Sequence, residues 1–254
     1  MKACTAILIA VTLLLVLAPT SQACFDTYLF MQNGGMVYPY KMLCFDGSAE
    51  YVIGNYRNEE PDMFTGNMNI YYGLAKGFSV QAVFASSEKE RTTFKIDDVG
   101  LRGVYSLVSG YRGLYNLDMI LEHHQAEGSR GGVYEFSLPS IWHSNSLTYV
   151  VHPVAAFGHG MNLGVRGHGG IFHSTRNHAT IGLGAEYESN QSSSNLGKRL
   201  VKGEGGTSLF FGTMLGQNVF LQNEIIKGWG PGSDKGDVGF AFTLKFLAPN
   251  GLKF

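Results

Sequence analysis

The chain has 254 residues, of which 15% are charged, against about 25% in an average soluble domain, and its 34 glycines are about twice the usual share. With 17 Phe and 13 Tyr it is too aromatic and too sparsely charged to be disordered. A formal net charge of -1 leaves no basic footprint, so nucleic-acid partners are excluded, and the composition is not that of an ordinary cytosolic enzyme.

In chain order, Lys2 is followed by an apolar run from Ala6 to Ala18 and then Pro19-Thr20-Ser21-Gln22-Ala23. A short positive region, a hydrophobic segment and a small-x-small site predict an export signal over residues 1–23. The run falls short of the roughly 20 residues of a spanning helix. Cys24 would then be the first mature residue, which leaves lipidation open, although Ser21 stands where a lipoprotein usually carries Leu. Cys4 departs with the signal, and Cys24 and Cys44 remain. Two cysteines in an exported chain suggest one disulfide, worth roughly 3 kcal/mol in the chain-entropy model. A metal pair is the weaker alternative, because no tight Cys/His spacing accompanies it. Residues 24–48 are apolar enough to plug a barrel mouth; the alternative is a periplasmic segment lying against the rim.

Beyond residue 48 the dominant period is two. Val238, Phe240, Phe242, Leu244 and Phe246 alternate with Gly239, Ala241, Thr243 and Lys245, which is a strand with two unlike faces. The same pattern predicts twelve strands, near 49–57, 65–74, 78–87, 96–108, 112–125, 133–143, 147–158, 161–173, 179–189, 206–215, 219–228 and 237–247. Most reach the roughly 9–11 residues of a tilted membrane strand, longer than the 5–6 usual in soluble sheets. Tight connections such as Ala75-Lys76-Gly77, Ser109-Gly110-Tyr111 and Ser144-Asn145-Ser146 alternate with longer polar ones at 58–65, 88–95, 126–131, 190–205 and 228–236, with one short exception at Gly158-His159-Gly160. Short turns at one end and long loops at the other are the layout of an outer-membrane barrel. Backbone groups in hydrocarbon must all be paired, so such a sheet closes on itself.

The phase of the alternation then sorts the side chains. Leu101, Tyr105, Leu117, Met119, Leu121, Tyr149, Val151, Val165, Ile171, Ile181, Leu183, Leu209 and Phe211 are assigned to the lipid face. Phe78, Tyr111, Trp142, Tyr187 and Phe246 fall near strand ends, where rings suit the interface. Asp98, Arg102, Asp118, Glu122, Glu135, His152, Arg166, His168, Glu186, Glu224 and Lys245 are the candidate lumen lining, with Glu188 and Gln222 in the same phase. Arg102 should lie beside Asp118 and Glu122, and Arg166 beside Glu186 and Glu188. Mixed signs favour a charge-paired filling of a narrow lumen over a selectivity lining. Pro139 and Pro153 each remove a ladder donor, so the 133–158 hairpin carries either a bulge or a shifted register.

Catalytic patterns are weak. Trp142-His143-Ser144-Asn145 places a histidine beside a serine, but consecutive strand residues face opposite ways, and His173-Ser174 shares the fault. The eight histidines form no compact cluster, so neither a metal nor a cofactor is expected. Gly164-Val165-Arg166-Gly167 opens no helix and is not a phosphate loop.

Tyr72-Gly73-Leu74, then Phe78-Ser79-Val80, then Asp97-Asp98-Val99-Gly100-Leu101-Arg102-Gly103-Val104-Tyr105-Ser106-Leu107 and the aromatic closing strand resemble Gram-negative outer-membrane barrels of the phenol-degradation (MetA-pathway) transporter type. The resemblance covers residues from about 65 to 247. It implies passage of small solutes, often hydrophobic or aromatic, and carries over no catalytic residues. Phe254 ends the chain, but Pro249-Asn250-Gly251 interrupts before it, so Phe246 is the candidate strand end. The expectation is one all-β, antiparallel transmembrane barrel of about twelve strands over 49–247, with a tail at 248–254, in a bacterial outer membrane. Its partners would be outer-membrane lipids, an unidentified small solute and, in one reading, an extracellular or periplasmic protein. A channel or transporter comes first, a structural or partner-binding barrel second, and an outer-membrane lipid hydrolase third; an enzyme is not expected.

Overall fold

The computed structural model describes residues 27–53, 63–90, 93–109, 114–126, 131–158, 163–175, 179–188, 204–229 and 238–248. A short helix, α1 (Thr27–Asn33), precedes β1 (Leu43–Ile53), β2 (Met63–Ala75), β3 (Phe78–Glu90) and β4 (Thr93–Ser109). There follow β5 (Tyr115–Ala126), β6 (Val133–Ser137), β7 (Ser140–Ser144), β8 (Leu147–Gly158) and β9 (Gly164–Ser174). The last are β10 (Thr180–Glu188), β11 (Glu204–Met214), β12 (Val219–Trp229) and β13 (Val238–Ala248). Neighbouring strands pair antiparallel, and β1 pairs both β2 and β13, the latter from Leu43↔Ala248 to Ile53↔Val238. Both β6 and β7 lie between β5 and β8, so they form one stave, and the sheet is a closed barrel of twelve. Closure leaves no row of unpaired N–H and C=O groups for hydrocarbon to penalise.

The split stave shows what its prolines do. Ser137 pairs Val154 and Ser140 pairs Val151, which is one continuous register on both sides of the gap. The Asp118 amide donates to the Pro139 carbonyl at 3.0 Å, and the Leu138 amide to the Pro153 carbonyl at 3.3 Å. The ladder is interrupted where two donors are missing, with neither a bulge nor a slip. Register shifts fall elsewhere, at Gly73/Ala75, Ala85/Ser86, Glu88/Glu90 and Ser106/Val108.

Alternation along each stave separates two environments. In β8, Thr148, Val150, His152, Val154 and Ala156 are buried, while Tyr149, Val151, Pro153 and Phe157 are exposed. Leu101 is 62% exposed, Leu121 55% and Ile181 53%, in a belt far larger than a soluble monomer carries. Aromatic rings bound that belt. Tyr72, Tyr105, Trp142, Tyr149 and Phe246 are exposed toward the short-turn end, and Tyr51, Tyr134, Phe157, Tyr187 and Phe240 toward the long-loop end. Two aromatic girdles flanking an aliphatic band are the exterior of a membrane barrel.

Tight turns at the short end use residues tolerant of positive φ, Gly77 (79°) and Asn145 (55°). Three boundaries differ from expectation. β1 starts at Leu43, so 43–48 are strand and not part of a preceding segment. The loop expected at 88–95 is largely hairpin, because β3 runs to Glu90 and β4 starts at Thr93. β13 ends at Ala248, one residue into the expected tail. The signal segment 1–23, Cys24 with its candidate disulfide or lipid, Tyr111, the 189–203 connection and residues 249–254 lie outside the described residues; Cys44 is buried in β1.

Candidate functional site

Residues 27–42 pack inside the barrel at its short-turn end. Leu29 and Phe30 are buried against inward Val104, Ile120, Ile141, Val150, Phe172 and Phe210, with the Phe30 and Phe172 rings 6.2 Å apart. Burying two such side chains contributes about 3–6 kcal/mol of hydrophobic stabilisation. Polar ties fix the segment to several staves. Thr27 Oγ1 donates to Gln222 at 2.7 Å, the Met36 backbone amide to Asp118 Oδ2 at 2.5 Å, and Asn116 Nδ2 to the Gly34 carbonyl at 2.6 Å. Tyr38 receives Lys245 Nζ at 2.9 Å and gives its own amide to Ser79 Oγ at 3.2 Å. The chain then turns at Pro39–Met42, with Lys41 at φ 63° and its amide on the Gly73 carbonyl at 2.8 Å.

Gly73 makes this seat possible, since a Cβ there would stand 1.8 Å from the Pro39 carbonyl oxygen. Gly73→Val is expected to loosen residues 36–42 at a cost of about 1–3 kcal/mol while the staves stay paired. Limited proteolysis checks this: cleavage near Tyr40 should speed up in the variant, without loss of barrel circular dichroism.

Above the segment lies a cavity of about 230 Å³. Its floor is apolar, from Leu29, Met36, Val104, Ile120 and Phe220, and its middle is charged. Arg102 donates through Nε to Glu122 Oε2 at 2.7 Å and through Nη1 to Gln81 at 3.1 Å. Arg166 donates to Glu135, both buried. His168 Nδ1 meets Glu186 Oε2 at 2.7 Å, and His152 Nε2 lies 2.9 Å from Ser137 Oγ. Lys245 stands 3.6 Å from Asp46 and 5.1 Å from the Tyr71 ring centre, and Asp46 also accepts from Asn69 and Tyr71. Among the described residues eight buried carboxylates (Asp46, Glu50, Asp98, Asp118, Glu122, Glu135, Glu186, Glu224) share the interior with Arg102, Arg166 and Lys245.

Of the residues singled out in the sequence, Arg102, Glu122, Glu135, His152, Arg166, His168, Gln222, Glu224 and Lys245 line this cavity. Asp98, Asp118 and Glu186 are buried inside the barrel but outside that lining. Two pairings differ from expectation. Asp118 serves Met36 instead of Arg102, because β5 carries it toward the short-turn end where the N-terminal segment sits. Arg166 stands directly across from Glu188 in the register, as expected, but its guanidinium is on Glu135, two staves away, while Glu186 takes His168, its direct cross-strand partner. Asp46, Glu50 and Gln81 also line the cavity without having been singled out. Asp46 was hidden by placing the start of β1 too late, whereas Glu50 lay within the expected first strand and was not assigned to the lumen.

The serine–histidine patterns are not assembled. His143 turns inward, Nε2 to the Gly34 carbonyl at 3.0 Å and Nδ1 to Thr148 Oγ1 at 2.9 Å, while Ser144 is exposed. His173 is exposed and Ser174 lies on the opposite face.

No protein-family model and no curated protein matches the chain. Solved structures do. An outer-membrane channel of Pseudomonas putida F1, described as COG4313, superposes with a TM-score of 0.63 at 7% identity, over 84% of this chain and 97% of that one. The KdgM porin in complex with disordered oligogalacturonate gives 0.57 at 13% identity, over 80% and 98%. Outer membrane phospholipase A of Escherichia coli gives 0.50 at 11% identity, over 85% and 93%. The fold is that of bacterial outer-membrane barrels. At these identities the likeness is one of fold, which channels and a phospholipase share, so function rests on the interior.

Proposed function

We propose that the protein is an outer-membrane channel for small solutes, closed at its periplasmic end by its own residues 27–42. One observation carries the reading: a charged cavity inside a closed barrel ends on a segment held by dispersed contacts. Buried carboxylates and guanidinium groups in such numbers call for water or a polar solute beside them. If residues 27–42 leave, inward Val104, Ile120, Ile141, Val150, Phe172 and Phe210 become the wall of the exit. A polar middle and an apolar exit suit small amphipathic solutes, aromatic ones included, in line with the resemblance to the phenol-degradation type. Among the described residues, eight interior carboxylates against three Arg and Lys side chains favour neutral or cationic solutes over polyanions.

Planar-bilayer recording tests the proposal. The full chain should conduct rarely, whereas a variant lacking residues 24–42 should give steady openings. In a potassium chloride gradient its reversal potential should favour potassium over chloride. A truncated barrel that is folded but impermeable would overturn the channel reading.

A further inference from the structure

Glu122 and His124 lie two apart on β5 and so share the inward face, and Glu135 on β6 is the direct cross-strand partner of Glu122. All three are buried, and one ligand atom from each can be chosen so that all lie within 4.8 Å of one another. Ligand atoms each about 2.0–2.2 Å from one ion stand up to roughly 4.4 Å apart, so small side-chain adjustments close the set.

We propose that Glu122, His124 and Glu135 bind one divalent transition-metal cation in the barrel wall, on the long-loop side of the cavity. The ring of His124 is the second observation. It is 1% exposed, and the polar groups it meets are the two carboxylates of the cluster, with no well-aligned hydrogen bond at either ring nitrogen. Its Nε2 is aimed into the cluster, 3.3 Å from Glu122 Oε1 and 3.7 Å from Glu135 Oε2. Arg102 occupies the other oxygen of Glu122, Oε2, so that Oε1 stays turned to the imidazole. Opposite the ring, Gly100 leaves it room, since a Cβ there would stand 3.0 Å from Nδ1.

One imidazole and two carboxylates form a nitrogen-and-oxygen donor set suited to Zn²⁺ or Mn²⁺ and lacking the thiolates that softer ions prefer. Glu122 and Glu135 also line the cavity, so the remaining coordination position faces the lumen. Arg102 and Arg166 already offset the two carboxylates. The bound ion's charge is therefore met by a fourth, anionic ligand from the lumen, a hydroxide or a carboxylate of the solute.

The test is zinc titration of the detergent-folded full chain after chelator treatment, by calorimetry and metal analysis. The expected result is one saturable site per chain, with X-ray absorption showing a nitrogen-and-oxygen first shell that includes one imidazole. His124→Gln and Glu122→Gln, each confirmed as folded by gel mobility, should weaken binding by roughly tenfold or more, the scale of metal-site perturbations. His173→Ala, on the exposed face, should leave it unchanged. Absence of saturable binding below millimolar zinc in the folded chain would overturn the site, leaving an imidazole packed between two carboxylates. Equal binding by His124→Gln would overturn it as well. Neither readout depends on conductance, so the site and the channel reading stand or fall separately.

Discussion

Arg166→Met is expected to destabilise the folded barrel by about 3–5 kcal/mol, the scale measured when one partner of a buried ion pair is removed. Arg166 and Glu135 are each about 5% exposed, and the substitution leaves the carboxylate buried without its guanidinium. The penalty comes from the stranded charge rather than from a lost attraction of equal size. It follows that Arg166→Met combined with Glu135→Leu should recover most of the loss, because a buried pair replaced by apolar groups is often near neutral. Equilibrium unfolding in guanidinium, in bilayers, measures both. A single variant as stable as the parent would mean that the pair is bathed in water and the cavity wide open.

Leu121→Arg is expected to cost about 2–4 kcal/mol, as an arginine on the lipid face near the bilayer centre does. Leu121 lies mid-way along β5 on the outward face and is 55% exposed. Tyr134→Arg, on the neighbouring stave near the long-loop girdle, should cost only about 0–1 kcal/mol, because the headgroup region solvates the charge. The same unfolding assay in bilayers reads the difference. Equal costs at both depths would contradict the assigned lipid belt.

Much of the architecture is legible in the sequence for a simple reason. A wall with lipid on one side and polar groups on the other imposes a period of two on every stave, and residues such as Phe240, Phe242 and Phe246 obey it. Inward residues of β4 to β13 follow from the same phase. Side-chain partners do not, because length and direction decide them: Arg166 reaches past its cross-strand neighbour to Glu135, and Asp118 serves a segment far away in the chain. The start of β1 was illegible because Leu43-Cys44-Phe45-Asp46-Gly47-Ser48 has only two cycles of alternation before small residues blur it. The Glu122–His124–Glu135 cluster escaped a search of histidine spacing, since two of its members are carboxylates and one comes from the next stave. Pro139 and Pro153 marked the right place, but only the register shows that their carbonyls still accept and that the ladder resumes in phase.

In a lipid-facing barrel, β13 has lipid on one side and the lumen on the other. Spin labels placed singly from Val238 to Leu247 in a cysteine-free background, in liposomes, measure this through their collisions with oxygen and with a water-soluble nickel chelate. Oxygen accessibility should peak at Phe240, Phe242, Leu244 and Phe246 and fall at Gly239, Ala241, Thr243 and Lys245, with a period of two. Accessibility that is low and level at all these positions, as under a second packed sheet, would contradict the barrel and the channel together.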